Sequence, residues 1–195
     1  MAYRNGTYIA FDGLNQTDPT LSDFKYYATI QAWTVNKNID FKYVESHEKT
    51  YAVRDSSRRA TLEARIRERL SNSKNIVVIL SSDTRKSGSM LTYEIEQAVD
   101  KYELPLIIAY VDYKMVANPS LLSSYWPNAL SSRIANNMAK AIHIPFIKGA
   151  LLDAITQFSV NNTRQLSSAK EFYSKQAHQE FGVLNTYGSF VNTRE

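Results

Sequence analysis

Residues 75–112 read NIVVILSSDTRKSGSMLTYEIEQAVDKYELPLIIAYVD, and this stretch decides the fold. Two unbroken apolar runs, NIVVIL and LPLIIAYVD, flank one amphipathic segment, LTYEIEQAVDKYE. Apolar runs without alternation are strands buried on both faces, and two of them joined through a helix make a βαβ unit of a parallel sheet. Ligands of such sheets collect at the carboxyl ends of the strands, where the loops gather. Glu94 lies one turn into the helix that leaves such a loop.

Working outward, TYIAF (Thr7 to Phe11) is a short first strand closed by Asp12-Gly13. Thr20, three residues before Asp23, caps a helix carrying Phe24, Tyr27, Ile30 and Trp33. IDFKYV (Ile39 to Val44) is a second, partly alternating strand nearer an edge, and a polar loop of about a dozen residues follows it. Arg58 to Leu70 is a second helix with Leu62, Ile66 and Leu70 on one face and internal pairs such as Glu63 with Arg67. Beyond Asp112 the pattern is broken by Pro119 and Pro127. AIHIPF (Ala141 to Phe146) is a fifth strand, Lys148 to Phe158 a helix, and Ser167 to Phe181 reads as a last helix. Strands alternating with helices predict an α/β fold, a flavodoxin-like five-stranded parallel sheet of order 2-1-3-4-5 with helices on both faces. The division is a domain over 1–160 and a helical C-terminal appendage over 161–195.

Composition bounds the rest. The chain has 195 residues, 44% of them hydrophobic, and a net charge of +4, a mild surplus that permits an anionic ligand without demanding nucleic acid. Cysteine is absent, which excludes thiolate metal sites and Cys nucleophiles and suits a reducing cytoplasm. No apolar run approaches the roughly 18 residues that span a bilayer. His47, His143 and His178 are scattered, with no HExxH spacing, so no metal site is expected. There is no GxSxG elbow, Walker A loop or GxGxxG. A response-regulator receiver needs an acidic pair after strand one and an Asp ending strand three; here Asp12 stands alone and strand three ends in Leu80-Ser81.

On a helical wheel, Leu91, Ile95, Ala98, Val99 and Tyr102 form one apolar stripe, Glu96 and Asp100 point away, and Glu94 sits on the flank, half buried and facing the loop crevice. It is either an N-terminal acid complementing the helix dipole or a catalytic carboxylate. Phe11 is either a ring that stacks on a base or a core aromatic. Asp12 either binds a ribose hydroxyl or forms the turn with Gly13. Ser81, Ser82 and Asp83 end the third strand, as substrate contacts or loop caps. Arg54 and Asp55 reach a pyrophosphate or pair with each other.

IVVILSSDTRKSGSMLTYEIEQAV resembles the third strand and following helix of TIR domains, and TYIAFDG resembles their first strand. The Tyr93-Glu94-Ile95 triplet, and Asp23-Phe24 followed by Trp33, are similar to the TIR-like proteins of the bacterial Thoeris anti-phage system over roughly residues 5 to 160. The resemblance implies cleavage of NAD at the nicotinamide–ribose bond, with Glu94 catalytic and with Phe11, Asp12, Ser82, Asp83 and Met90 binding substrate. Met90 stands where many TIR enzymes have a tryptophan, and a thioether packs on rings less specifically. NAD is then the substrate and no separate cofactor is expected. A cyclic ADP-ribose-type product signals to a nucleotide-sensing effector, with self-association left open and neither nucleic acid nor membrane as a partner. The alternative within the same resemblance is a non-enzymatic module that signals through protein–protein contact.

Overall fold

A computed structural model describes residues 4–14, 23–34, 43–44, 57–163 and 165–182. Its sheet runs β2-β1-β3-β4-β5-β6, every neighbouring pair parallel. The strands are β1 (Gly6–Ala10), β2 (Tyr43–Val44), β3 (Ser73–Leu80), β4 (Leu106–Tyr110), β5 (Ala141–Pro145) and β6 (Glu171–Phe172). The first five stand in the expected order, with β3 between β1 and β4 in the interior. The helices are α1 (Phe24–Thr34), α2 (Ser57–Ser71), α3 (Met90–Glu96), α4 (Asn128–Ala135), α5 (Lys148–Gln157) and α6 (Lys175–Glu180). The Thr20 cap, strand residues 39–42 and the loop with Arg54 and Asp55 lie outside the described residues.

The strands β1, β3, β4 and β5 feed two cores. Tyr8, Val78, Leu80 and Ile108 pack on one face with Ile66, Leu91 and Ile95, while Ile9, Phe11, Val77 and Ile79 pack on the other with Tyr27, Ile30 and Leu151. Burial on both faces is why β3 and β4 read as unbroken apolar runs. Asn75, buried in β3, binds the layers together. Its Oδ1 accepts from Thr7 Oγ1 at 2.7 Å, and its Nδ2 donates to the carbonyls of Ile155 and Phe158 at 3.0 and 2.7 Å.

Three regions depart from the sequence expectation. Gln97–Lys101, read as ordinary α-helix, is a π-helical turn that continues α3. Residues 113–140 resolve into a 3₁₀ turn, Pro119–Tyr125, opened by Asn118 Oδ1 accepting from Ser120 N at 3.1 Å, and then α4 behind Pro127. The expected single helix over 167–181 is instead β6 followed by the short α6. The reason lies in the backbone accounting. The Glu171 carboxylate accepts from the amides of Ser167 and Ser168 at 2.5 and 3.0 Å. The Ser168 carbonyl accepts from Ala141 N at 3.0 Å, so these groups serve a turn and a sheet edge. Tyr173 donates to Asp153 Oδ2 at 2.6 Å and packs on Phe181 at 5.0 Å, which docks the described part of the appendage, while Phe172 stays 47% exposed.

The same dock rests on a buried histidine. His143 Nε2 faces the Ala169 carbonyl at 3.0 Å, which only accepts, so Nε2 carries the proton and Nδ1 accepts from the Tyr110 hydroxyl at 2.7 Å. Trp126 Nε1 completes the network by donating to Tyr110 Oη at 2.6 Å. Burial holds the His143 pKa down to about 4, from an ordinary value of 6.5. The unfolded chain therefore takes up a proton that the fold refuses as pH falls from 6.5 towards 4, and stability is lost in that window. At pH 4 this one residue removes about 3 kcal/mol. We expect the His143 ring resonances to titrate with a midpoint near 4 by NMR; a midpoint near 6.5 refutes the assignment.

Candidate active site

Because β1 and β3 are parallel neighbours, with Ala10 opposite Val78, their carboxyl ends deliver Asp12 and the Ser81–Ser89 loop to one place. That loop leads directly into α3. The α3 stripe of Leu91 and Ile95 presses into the core beside Tyr8. Glu94, expected half buried on the flank of that stripe, is only 2% exposed. A wheel gives direction and not depth. Here the Tyr8 hydroxyl reaches up from the middle of β1 and donates to Glu94 Oε1 at 2.6 Å.

The environment of this carboxyl is costly. Oε2 is buried and has no hydrogen-bond partner among the described residues, and neither do the buried Ser89 Oγ and Thr92 Oγ1 at the start of the same helix. Unpaired buried oxygens are rare in folded proteins and call for an explanation. Burial pushes the Glu94 pKa up to about 8, the Asp12 charge adds to this, and Tyr8 and Arg69 oppose it. Burial and then the Glu94 charge push the Tyr8 hydroxyl well above its ordinary value, so it remains a donor.

Asp12 lies at the opposite extreme. Arg85 grips both its oxygens, Nη2 to Oδ1 at 2.7 Å and Nε to Oδ2 at 2.9 Å, and the amides of Arg85 and Leu14 each add a bond at 3.0 Å. Burial alone would raise the Asp12 pKa, but the Arg85 fork and these amides outweigh it and hold the carboxyl low. A third acid, Asp23, sits at the mouth of α1, where burial raises its pKa to about 6 against hydrogen bonds from Ser81 and Thr84. Carboxyl groups whose surroundings push their pKa values apart are a mark of acid–base division of labour. At neutral pH Asp12 is an anchored carboxylate and Glu94 a neutral acid poised to ionise.

The other sequence candidates scatter around this centre. Phe11 packs in the opposite core, stacked on Tyr27 at 5.7 Å and edge-on to Phe24 at 6.0 Å, so the sheet separates it from Glu94. Ser82 and Asp83 are exposed on the loop, where the Asp83 amide donates to Ser81 Oγ at 3.2 Å. Ser82 borders a depression of about 200 Å³ shared with Ser81, Lys86, Ser124 and Tyr125. Met90 is half buried against the Tyr8 core. Sequence reasoning missed Tyr8 and Arg85 and took Asp23 as a first-turn helix acid and part of the family pattern, not as a site residue. The available signal for Tyr8 was a lone hydroxyl in an apolar strand, which must find a partner once buried. Among the described residues no three His, Asp or Glu side chains gather as metal ligands, and no helix is long and apolar enough to cross a membrane. A family model described as the Thoeris protein ThsB, TIR-like domain, matches residues 8–116, a span that begins at Tyr8 and contains Asp12, Arg85 and Glu94.

Proposed function

The chain belongs to the TIR-like family of the Thoeris protein ThsB, and on that premise we propose that it is an NAD-consuming enzyme with Glu94 as its catalytic carboxylate. Family membership supports a role in anti-phage defence. The finer reading is cleavage of the nicotinamide–ribose bond and formation of a cyclic ADP-ribose-type signal, read by a nucleotide-sensing effector in the cytoplasm. The observation that carries it is the buried carboxyl of Glu94, with Oε1 held by Tyr8 and Oε2 unpaired among the described residues.

The chemistry suits that carboxyl. Nicotinamide in NAD is a pyridinium cation, and its approach favours the ionised form of Glu94 by opposite charge. As the C1′–N bond breaks, its electron pair returns to the ring, neutral nicotinamide leaves, and positive charge develops on the ribose as an oxocarbenium ion. A preorganised carboxylate beside it stabilises that charge most in a water-poor site. Water then captures the ribose and releases a proton, or a nucleophilic atom of the ADP-ribose itself closes a ring. No second carboxylic acid is required, because the leaving group is already cationic. Ser82, Asp83 and Met90 stand on the loop and first turn that a substrate meets on its way in.

The depth of Glu94 and the presence of Met90 favour one rival, a module that signals by contact. Incubation of the purified protein with NAD, with and without the small-molecule fraction of phage-infected cells, separates the two. Chromatography is expected to show nicotinamide and an ADP-ribose-type product. No turnover in either condition makes the contact module the better reading.

A further inference from the structure

Building on the assignment of Glu94 as the catalytic carboxylate, we infer that Tyr8 is its positioning residue: the phenol fixes Oε1 and leaves Oε2 to face the reacting ribose. Three observations converge on this pair. The bond is short, 2.6 Å, and joins residues 86 positions apart, so the fold and not local sequence makes it. Both side chains are buried, and Glu94 Oε2 has no other partner among the described residues. Tyr8 is also seated rigidly, in a strand hydrogen-bonded on both sides, with its position opposite Ile76 in β3 and Val44 in β2.

The consequence is chemical as well as geometric. A carboxyl anchored through one oxygen cannot rotate its other oxygen away from a substrate, which is the preorganisation that an electrostatic catalyst needs. A hydroxyl donating to a carboxylate also stabilises the charged form. Tyr8 therefore counters part of the burial that keeps Glu94 protonated, and it lets the group ionise at a pH where the enzyme works.

The test uses the full chain and two readouts. In Tyr8→Phe the ring stays and only the hydroxyl goes. The Glu94 carboxyl, followed by ¹³C NMR in glutamate-labelled protein and identified by its loss in Glu94→Gln, is expected to titrate higher than in wild type by on the order of one pH unit. The acid limb of NAD turnover is expected to move up by the same amount, with KM little changed. Fluorotyrosine introduced at position 8 alone keeps the bond and the packing and makes a stronger donor, so both midpoints should move down; this arm decides the matter if Tyr8→Phe does not fold. Midpoints that stay put in the folded variants, or a loss of turnover at every pH with no shift of the limb, overturn the inference. The NMR titration reads the Tyr8–Glu94 coupling whether or not NAD is the substrate. Failure of the proposed reaction would therefore be visible as absent turnover beside an intact titration shift.

Discussion

Glu94→Gln is expected to lower NAD turnover by on the order of 100-fold or more, the usual cost of removing a preorganised group that stabilises transition-state charge. The same substitution should not weaken the fold, and here the sign matters. Glu94 ionises near 4.5 in an ordinary setting and at about 8 in the folded protein. Between those values the fold binds a proton that the unfolded chain has released, so wild-type stability falls as pH rises through the window. At pH 7 the accumulated cost is about 3 kcal/mol. Gln removes it, and an amide left without an acceptor at the Oε2 position offsets about 1–3 kcal/mol of the gain. The cleaner readout is the slope. From pH 7 to 8.5, above the midpoints of His143 and Asp23 in either state, wild-type unfolding free energy should fall by roughly 1 kcal/mol and that of Glu94→Gln should stay nearly flat. Urea denaturation at both pH values measures this. Glu96→Gln, at a half-exposed position 4.0 Å from Arg133, is the matched control and should resemble wild type in both assays. Equal turnover by folded Glu94→Gln and wild type sinks the catalytic assignment, and a wild-type slope of zero sinks the account of its environment.

That the buried Glu94 carboxyl destabilises its own fold bears on which features of this molecule the sequence reveals. Periodicity reports what is repeated locally. Unbroken apolar runs marked β3 and β4, and an i, i+4, i+8 spacing marked α2, because each is a property of consecutive residues. The Glu63–Arg67 pair was legible for the same reason, although at 4.0 Å it is the weaker of two; Arg59 approaches Glu63 to 2.9 Å, and Arg67 instead donates to the Tyr93 hydroxyl at 2.6 Å. β6 was not legible, since two residues carry no pattern and its pairing depends on Glu171 and β5. The π turn was not legible either, because nothing in Gln97–Lys101 departs from a good helical sequence. Glu94 was found through its family pattern, but its depth and its Tyr8 partner arise from a contact across 86 residues, and the Asp12–Arg85 fork spans 73. The chemistry of this site lies in such long-range pairs.

The Arg85 fork carries the second large effect. Arg85→Ala leaves Asp12, a fully buried carboxylate, with only the amides of Leu14 and residue 85 to satisfy it among the described residues. Removing one partner of a buried ion pair typically costs about 3–5 kcal/mol, because the remaining charge is stranded. The Arg85 side chain is 31% exposed, and solvent screening reduces the expectation to about 2–3 kcal/mol. For a chain of this size that lowers Tm by roughly 4–12 °C. The pH dependence should also invert. In wild type the low Asp12 pKa contributes stability that is present above the ordinary carboxyl range and lost as pH falls through it. Without the guanidinium, burial dominates, the pKa rises, and the variant gains stability on mild acidification. Asp12→Asn in the same background removes the stranded charge and should restore part of the loss, a coupling that a double-mutant cycle reads directly. Because Arg85 ties the β3–α3 loop to the end of β1, amide exchange across residues 81–89 should accelerate in the single variant, while β5, two strands beyond β3, keeps its protection. A stability change under about 0.5 kcal/mol, the size of an ordinary surface substitution, shows that the fork does not hold the loop over the site.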